Sequence, residues 1–204
     1  YRIVHYDSPD ERGIDVALLY KSKSFKLTNA RPVRVKLPGT TNDKTRDILY
    51  VKGIALKSTT LHIFINHWPS RRGSQEASEA LRIEAARVLR YQVDSVFKTN
   101  PSANILIMGD FNDNPVDKSI EVVLGSNPPE TSPSPSLLYS ILLPRFKSGE
   151  GSLYYKSWDM FDQIIVSGNM LRGSKGLTCK PENAEVLKPE WILYKNKSGL
   201  MLPN

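Results

Sequence analysis

The sequence predicts an α/β domain, predominantly sheet with one long covering helix, and two observations carry that prediction. Several short segments alternate apolar with polar residues or run as β-branched stretches, whereas a single segment between residues 77 and 96 repeats its apolar positions at helical spacing. In addition, clusters of polar and ionisable residues stand at the ends of three strand-like segments. Sheets of this class place their sites at such strand ends.

Taken in order, apolar patterning marks strands from Ile14 to Tyr20, Arg31 to Leu37, Ile48 to Leu56, Leu61 to Asn66, Asn104 to Met108 and Asp162 to Ser167. Ahead of them, His5 precedes Asp7-Ser8-Pro9-Asp10, which reads as a turn. Between the fourth and fifth strands, Ala77, Leu81, Ala85, Val88, Leu89, Gln92 and Val96 describe one amphipathic helix covering the sheet. Its basic residues, among them Arg82, Arg87 and Arg90, read as a solvated face. A short helix is expected from Asp117 to Leu124, capped by Asp117 or begun slightly earlier. Gly125 to Ser136, rich in Pro and Ser, and Lys147 to Ser152, rich in Gly and charge, read as loops, since structure-forming segments resume after each. Trp191-Ile192-Leu193-Tyr194 reads as a last strand or packed segment. No repeat interrupts this order, and residues 1 to 204 read as one domain.

Composition narrows the function classes. No stretch approaches the roughly 20 apolar residues of a membrane helix, and the single Cys179 excludes an internal disulfide and supplies no metal-ligand spacing. With 28 Lys and Arg against 21 Asp and Glu, the net charge of +7 favours a polyanionic partner such as nucleic acid.

Three motifs carry the chemistry. Met108-Gly109-Asp110-Phe111-Asn112-Asp113 follows an apolar strand, so Asp110 and Asn112 enter the loop at its end, with Gly109 permitting the tight exit. A carboxylate that orients and deprotonates a water, beside a neutral amide that holds a phosphoryl oxygen, suits phosphoester hydrolysis. The plainer alternative is a turn. Upstream, the strand from Leu61 stops at Pro69, and Asn66, His67, Ser70, Arg71 and Arg72 gather at its mouth as donors suited to a phosphodiester. A lone histidine there reads as structural; this one has company. Downstream, Asp162 opens a β-branched run and needs a partner, because an unpaired buried carboxylate is costly or protonated. A turn acid or a helix cap is the alternative.

In this order the motifs, together with Arg12-Gly13-Ile14-Asp15-Val16-Ala17-Leu18-Leu19-Tyr20, resemble the endonuclease/exonuclease/phosphatase superfamily, in particular a bacterial subgroup with the Asn-His-Trp-Pro-Ser-Arg form of the histidine motif. The resemblance implies part of a four-layer α/β sandwich of the deoxyribonuclease-like type. It implies a divalent-metal-dependent phosphodiester hydrolase, a nuclease first, with nucleic acid as substrate and Mg2+ or Mn2+ as cofactor. A lipid or sugar phosphoesterase and a non-catalytic binding module are the alternatives.

Carried over by residue, the resemblance makes His67 the contact to the scissile phosphate and Asp110 the acid that orients the attacking water. Asn112 becomes the amide on a phosphate oxygen, with Asp110 and Asn112 contributing to the metal site. Asp162 would orient a second histidine, and Asp15 would support His67 from behind. The family's glutamate motif and its terminal Ser-Asp-His triplet are not in this sequence. The chain therefore reads as truncated at both ends, and as inactive or weakly active alone. The side chains of His67, Asp110, Asn112 and Asp162 are expected to converge on one edge of the sheet.

Overall fold

The computed structural model describes residues 1–37, 44–73, 75–173, 177–195, 199 and 201–203. In chain order the elements are β1 (Arg2–His5), β2 (Ala17–Tyr20), β3 (Phe25–Val33), β4 (Ile48–Ala55), β5 (Thr59–His67), α1 (Gln75–Thr99), β6 (Asn104–Asp110), β7 (Ser126–Asn127) and β8 (Leu138–Ser140). There follow α2 (Leu143–Lys147), β9 (Leu153–Tyr155), β10 (Ser157–Asp159), β11 (Asp162–Ser167), α3 (Gly168–Arg172), β12 (Leu193–Lys195) and β13 (Met201–Pro203).

A seven-stranded sheet in the order β3-β4-β5-β6-β11-β8-β7 organises the chain. β5 and β6 pair in parallel, which needs a crossover, and α1 supplies it. Period-two alternation then divides the side chains between two cores. Phe64, Ile105, Ile107 and Ile165 meet Ala85, Ala86, Leu89 and Val93 of α1 on one face. Leu61, Ile63, Ile65 and Val166 lie on the other, with Val4 of β1, Leu18 of β2, Ile141, Leu142 and Met170. No described helix is long and apolar enough to cross a membrane.

Several sequence expectations shift here, each for a physical reason. The strand expected from Ile14 begins at Ala17 and pairs with β1 in a separate two-stranded sheet, so the predicted turn region follows a strand that ends at His5. The strand expected over Arg31 to Leu37 is β3, ending at Val33. As an edge strand it is buried only at Phe25 and Val33 and is broken by a bulge at Leu27/Asn29, so it shows no apolar alternation. The short helix is a single π turn at Ser119–Val123. Trp191 is 82% exposed rather than packed, and the strand beyond it, β12, pairs with β13.

The buried stripe of α1 runs through Ser78, Arg82, Ala85, Ala86, Leu89, Val93 and Phe97, while Ala77 is exposed. Its first turns bury Arg82, which reaches the Asp113 carboxylate, and Ser78, which accepts from Arg82. Arg82, expected on the solvated face, is fully buried.

His62 shows how the sheet treats a titratable group. It lies on β5 opposite Lys52, and its Nδ1 is 2.8 Å from the Tyr50 hydroxyl. Burial, helped by the Lys52 charge, lowers its pKa to about 4 from an ordinary 6.5. The unfolded chain therefore binds the proton more readily between those values. Stability from this group is complete above pH ~6.5 and is lost as pH falls toward 4. His62→Gln should flatten the dependence of the urea midpoint over that window, and an unchanged slope would assign it to other groups.

Candidate active site

Strand register alone brings three of the predicted residues side by side. His67 ends β5 opposite Asp110 at the end of the parallel β6, and Asp162 begins β11 opposite Asp110 from the other side. His67 Nε2 lies 3.7 Å from Asp110 Oδ2, with both side chains about one third exposed. The Asp162 residue is exposed. Asn112 joins them through the loop: its N–H donates to Asp110 Oδ1 at 2.8 Å, and its Nδ2 donates to the Trp68 carbonyl at 3.0 Å. The four therefore converge on one sheet edge.

The loop holds this shape for local reasons. At Gly109 φ is +136°, and a Cβ would lie 1.9 Å from the Asn66 carbonyl oxygen, so glycine alone fits beside β5. Phe111 turns inward, fully buried with its ring edge-on to Trp68 at 4.8 Å, and its N–H donates to the Phe161 carbonyl at 2.8 Å. Asn112 then takes a left-handed φ of 51°, which asparagine tolerates better than most side chains. The inward aromatic, between the part-exposed Asp110 and the buried Asn112, pegs the loop to the core.

Electrostatics separate the groups from their ordinary behaviour. Burial, aided by the nearby Arg46 charge and opposed by Asp110, lowers the His67 pKa and favours neutral imidazole. Burial also raises the Asp110 pKa, and the Asp162 charge adds to it, against the Asn112 N–H and His67. Shifted titrations in one accessible cluster are a mark of functional sites.

The supports around the edge include residues that the sequence did not single out. Arg46 donates to the His67 and Trp68 carbonyls at 3.1 and 2.6 Å and to Asp10 Oδ2 at 2.9 Å. Asp10, buried, also accepts from Arg12 at 3.1 and 3.0 Å, and these guanidinium contacts hold its carboxyl well below the usual range. Asp10, not Asp15, is thus the acid that backs the histidine loop. Asp15 instead accepts from the Ser8 N–H at 2.7 Å and lies 3.0 Å from His5 Nε2. With Asp7 these form the one His/Asp triplet among the described residues whose donor atoms lie within 4.8 Å of one another. One hydrogen bond, His5 to Asp15, lies inside it, and Asp7 is a fully exposed carboxylate 4.0 Å from His5 Nδ1.

Two expected phosphate contacts are corrected as well. Asn66 is buried, its Nδ2 donating to the Phe64 and Met108 carbonyls while its Oδ1 accepts from Trp68 Nε1, so it fastens strand ends. Arg71 donates to the Asn112 carbonyl, Asp113 and Asp117 at 2.9, 3.2 and 2.6 Å and stacks on Phe161 at 4.6 Å. Its charge is already neutralised, and its part is to tie the histidine loop to the Asp110 loop. Arg82 Nε sits 2.7 Å from Asp113 Oδ1, an ion contact without hydrogen-bond alignment. Ser70 lines a cleft with Arg12, Arg46 and Arg72. The sequence signal for these supports is faint, because each is a charged residue whose partner lies in another segment.

A model of the Endonuclease/Exonuclease/phosphatase family matches residues 1–203. The chain belongs to that family. No curated protein matches the sequence significantly. Among solved structures, the human Nocturnin catalytic domain with bound sulfate anion is similar at 19% identity and a TM-score of 0.58, covering 81% of this chain and 60% of that one. Truncated Caenorhabditis elegans TDP2 is similar at 14% identity and a TM-score of 0.57, with 82% and 62% covered. ANGEL2, a 2',3'-cyclic phosphatase, gives 16% identity, a TM-score of 0.59, and 86% and 62%. The chain thus spans about 60% of the length of these structures. Their shared fold is the deoxyribonuclease-like α/β fold of the endonuclease/exonuclease/phosphatase family, here built on the seven-stranded sheet.

Proposed function

We propose that the intact protein hydrolyses phosphodiesters, nucleic acid first, at the edge formed by His67, Asp110, Asn112 and Asp162. The observation that carries this reading is the meeting of a neutral-leaning imidazole with a carboxylate at 3.7 Å, between three strand ends and open to solvent. Asp110 orients a water and draws its proton. His67, without a side-chain hydrogen bond among the described residues, offers a donor to a phosphoryl oxygen or leaving group. Asn112, largely buried, makes one side-chain hydrogen bond among the described residues, to Trp68, which leaves its Oδ1 and one amide hydrogen for a phosphoryl oxygen or a cation. Family membership supports the reaction class. Of the similar structures, the Nocturnin domain binds a sulfate anion and ANGEL2 binds adenosine-2',3'-vanadate.

The donor set fits a hard divalent cation. Asp110 and Asp162 are cross-strand neighbours; burial raises the Asp110 pKa and the Asp162 charge adds to it, and a cation between oxygen donors relieves both. Asp110 and Asn112, with Asp162 beside them, would hold Mg2+ or Mn2+, which supplies charge stabilisation at the phosphoryl oxygens when bound.

The test is hydrolysis by the intact protein with Mg2+, and with EDTA, of plasmid DNA, RNA, a 2',3'-cyclic nucleotide, sphingomyelin and phosphoinositides. Turnover of nucleic acid that EDTA abolishes is the expected result. Cleavage confined to lipid or sugar phosphates would move the substrate class, and no turnover of any of them would remove the reading.

A further inference from the structure

A short hairpin, β9 and β10 with Lys156 at its tip, stands directly beside the Asp110–Asn112 loop. Its base is fastened there: Asn114 donates from Nδ2 to Asp159 Oδ1 at 2.7 Å and accepts at Oδ1 from the Met160 N–H at 2.7 Å. The Ser152 N–H donates to the Asp159 carbonyl at 2.8 Å, and the Asp162 N–H donates to Ser152 Oγ at 3.1 Å. Gly151 passes so close that a Cβ would lie 2.4 Å from the Asp159 carbonyl oxygen. The hairpin is therefore placed by the same residues that follow and flank the candidate catalytic loop.

Cross-strand partners share a face of a hairpin. Here Leu153 pairs with Asp159 and Tyr155 with Ser157, while Tyr154 pairs with Trp158. The second face is already occupied: Tyr154 and Trp158 meet edge-on at 5.2 Å, and Lys188 Nζ lies 4.4 Å from the Trp158 ring centroid. The first face carries Asp159 to Asn114 and leaves Tyr155 72% and Leu153 42% exposed. Lys156 Nζ is 5.5 Å from the Tyr155 ring centroid, and the neighbouring Glu150 carboxylate is paired with Arg145 and Lys188. What remains open is one aromatic ring with a cation beside it, next to Leu153, on a hairpin whose base meets the proposed phosphoester site.

That combination suits a nucleobase joined to phosphate, because every base has a face to stack and the backbone is anionic. In a duplex those faces are covered by neighbouring base pairs. We propose that Tyr155 is a stacking platform for an unpaired base beside the scissile phosphate, so that the site takes single-stranded or locally unpaired nucleic acid. This rests on the phosphodiesterase reading above.

Binding is measured in EDTA, so that hydrolysis has no part in it, by titrating the intact protein with a fluorescent oligothymidylate and with a duplex of the same length. Base–aromatic stacking predicts that Tyr155→Ala weakens single-strand binding about 5- to 150-fold, that Tyr155→Phe restores it, and that duplex binding stays unchanged. With Mg2+, the same substitution should raise KM on single strands more than it lowers kcat. Tyr155→Ala binding the strand as wild type does, equal loss on strand and duplex, or a wild-type protein that binds no single strand would each overturn the platform. Tyr155-dependent binding without hydrolysis would instead leave the platform standing and remove the hydrolase reading.

Discussion

Replacing Asp110 with Asn in the intact protein should lower phosphodiester hydrolysis by about 10²–10⁴-fold, the range for losing a positioned general base, with little change in folding. An asparagine keeps the Oδ1 that accepts the Asn112 N–H at 2.8 Å, so the loop stays closed, and it removes the charge that draws the water's proton. The thermal midpoint separates this outcome from a structural one. His67→Ala should cost about 10²–10³-fold, as the loss of one preorganised donor does. A folded Asp110→Asn protein that hydrolyses at the wild-type rate would reduce the Gly109–Asn112 loop to a turn.

Arg46→Ala should destabilise the protein by about 3 kcal/mol, the low end of the range for breaking one side of a buried ion pair. The Arg46 and Asp10 side chains are each only 4% exposed, and the guanidinium also donates to the His67 and Trp68 carbonyls, of which Trp68 keeps the Asn112 amide as a second donor. The low end applies because Arg12 remains on Asp10. Urea unfolding measures the change, and a loss below about 1 kcal/mol would show that the pair contributes little beyond its desolvation cost. Because Asp10 is held below its ordinary pKa, its stabilisation is present above the unfolded value near 3.8 and is lost as pH falls beneath it. Arg46→Ala should therefore also weaken acid destabilisation.

The central strands and the convergence of His67, Asp110, Asn112 and Asp162 were legible in the sequence because both follow from local pattern. Alternation places Ile63 and Ile65 on one face of β5 and Phe64 on the other, and a strand that ends in a polar motif must deliver that motif to the sheet edge. Strand pairing then needed only register to set Asp110 between His67 and Asp162. The first part of the edge strand β3, Phe25 to Ala30, escaped because it is exposed over most of its length, and an exposed strand has no apolar alternation to read.

The roles of charged residues were decided by the tertiary structure alone. Nothing near Arg71 or Arg82 in the sequence shows that both reach Asp113, or that Arg46 with Asp10, rather than Asp15, backs the histidine loop. A charge seeks an opposite charge in three dimensions, across 31 and 42 residues of chain to Asp113 for Arg82 and Arg71, and has no periodicity to announce it. Apolar burial is set by which face a residue occupies, a property of its own strand or helix. An ion pair is set by which two elements meet, so the sequence determined the sheet and its polar edge, and only packing determined which arginines hold that edge together.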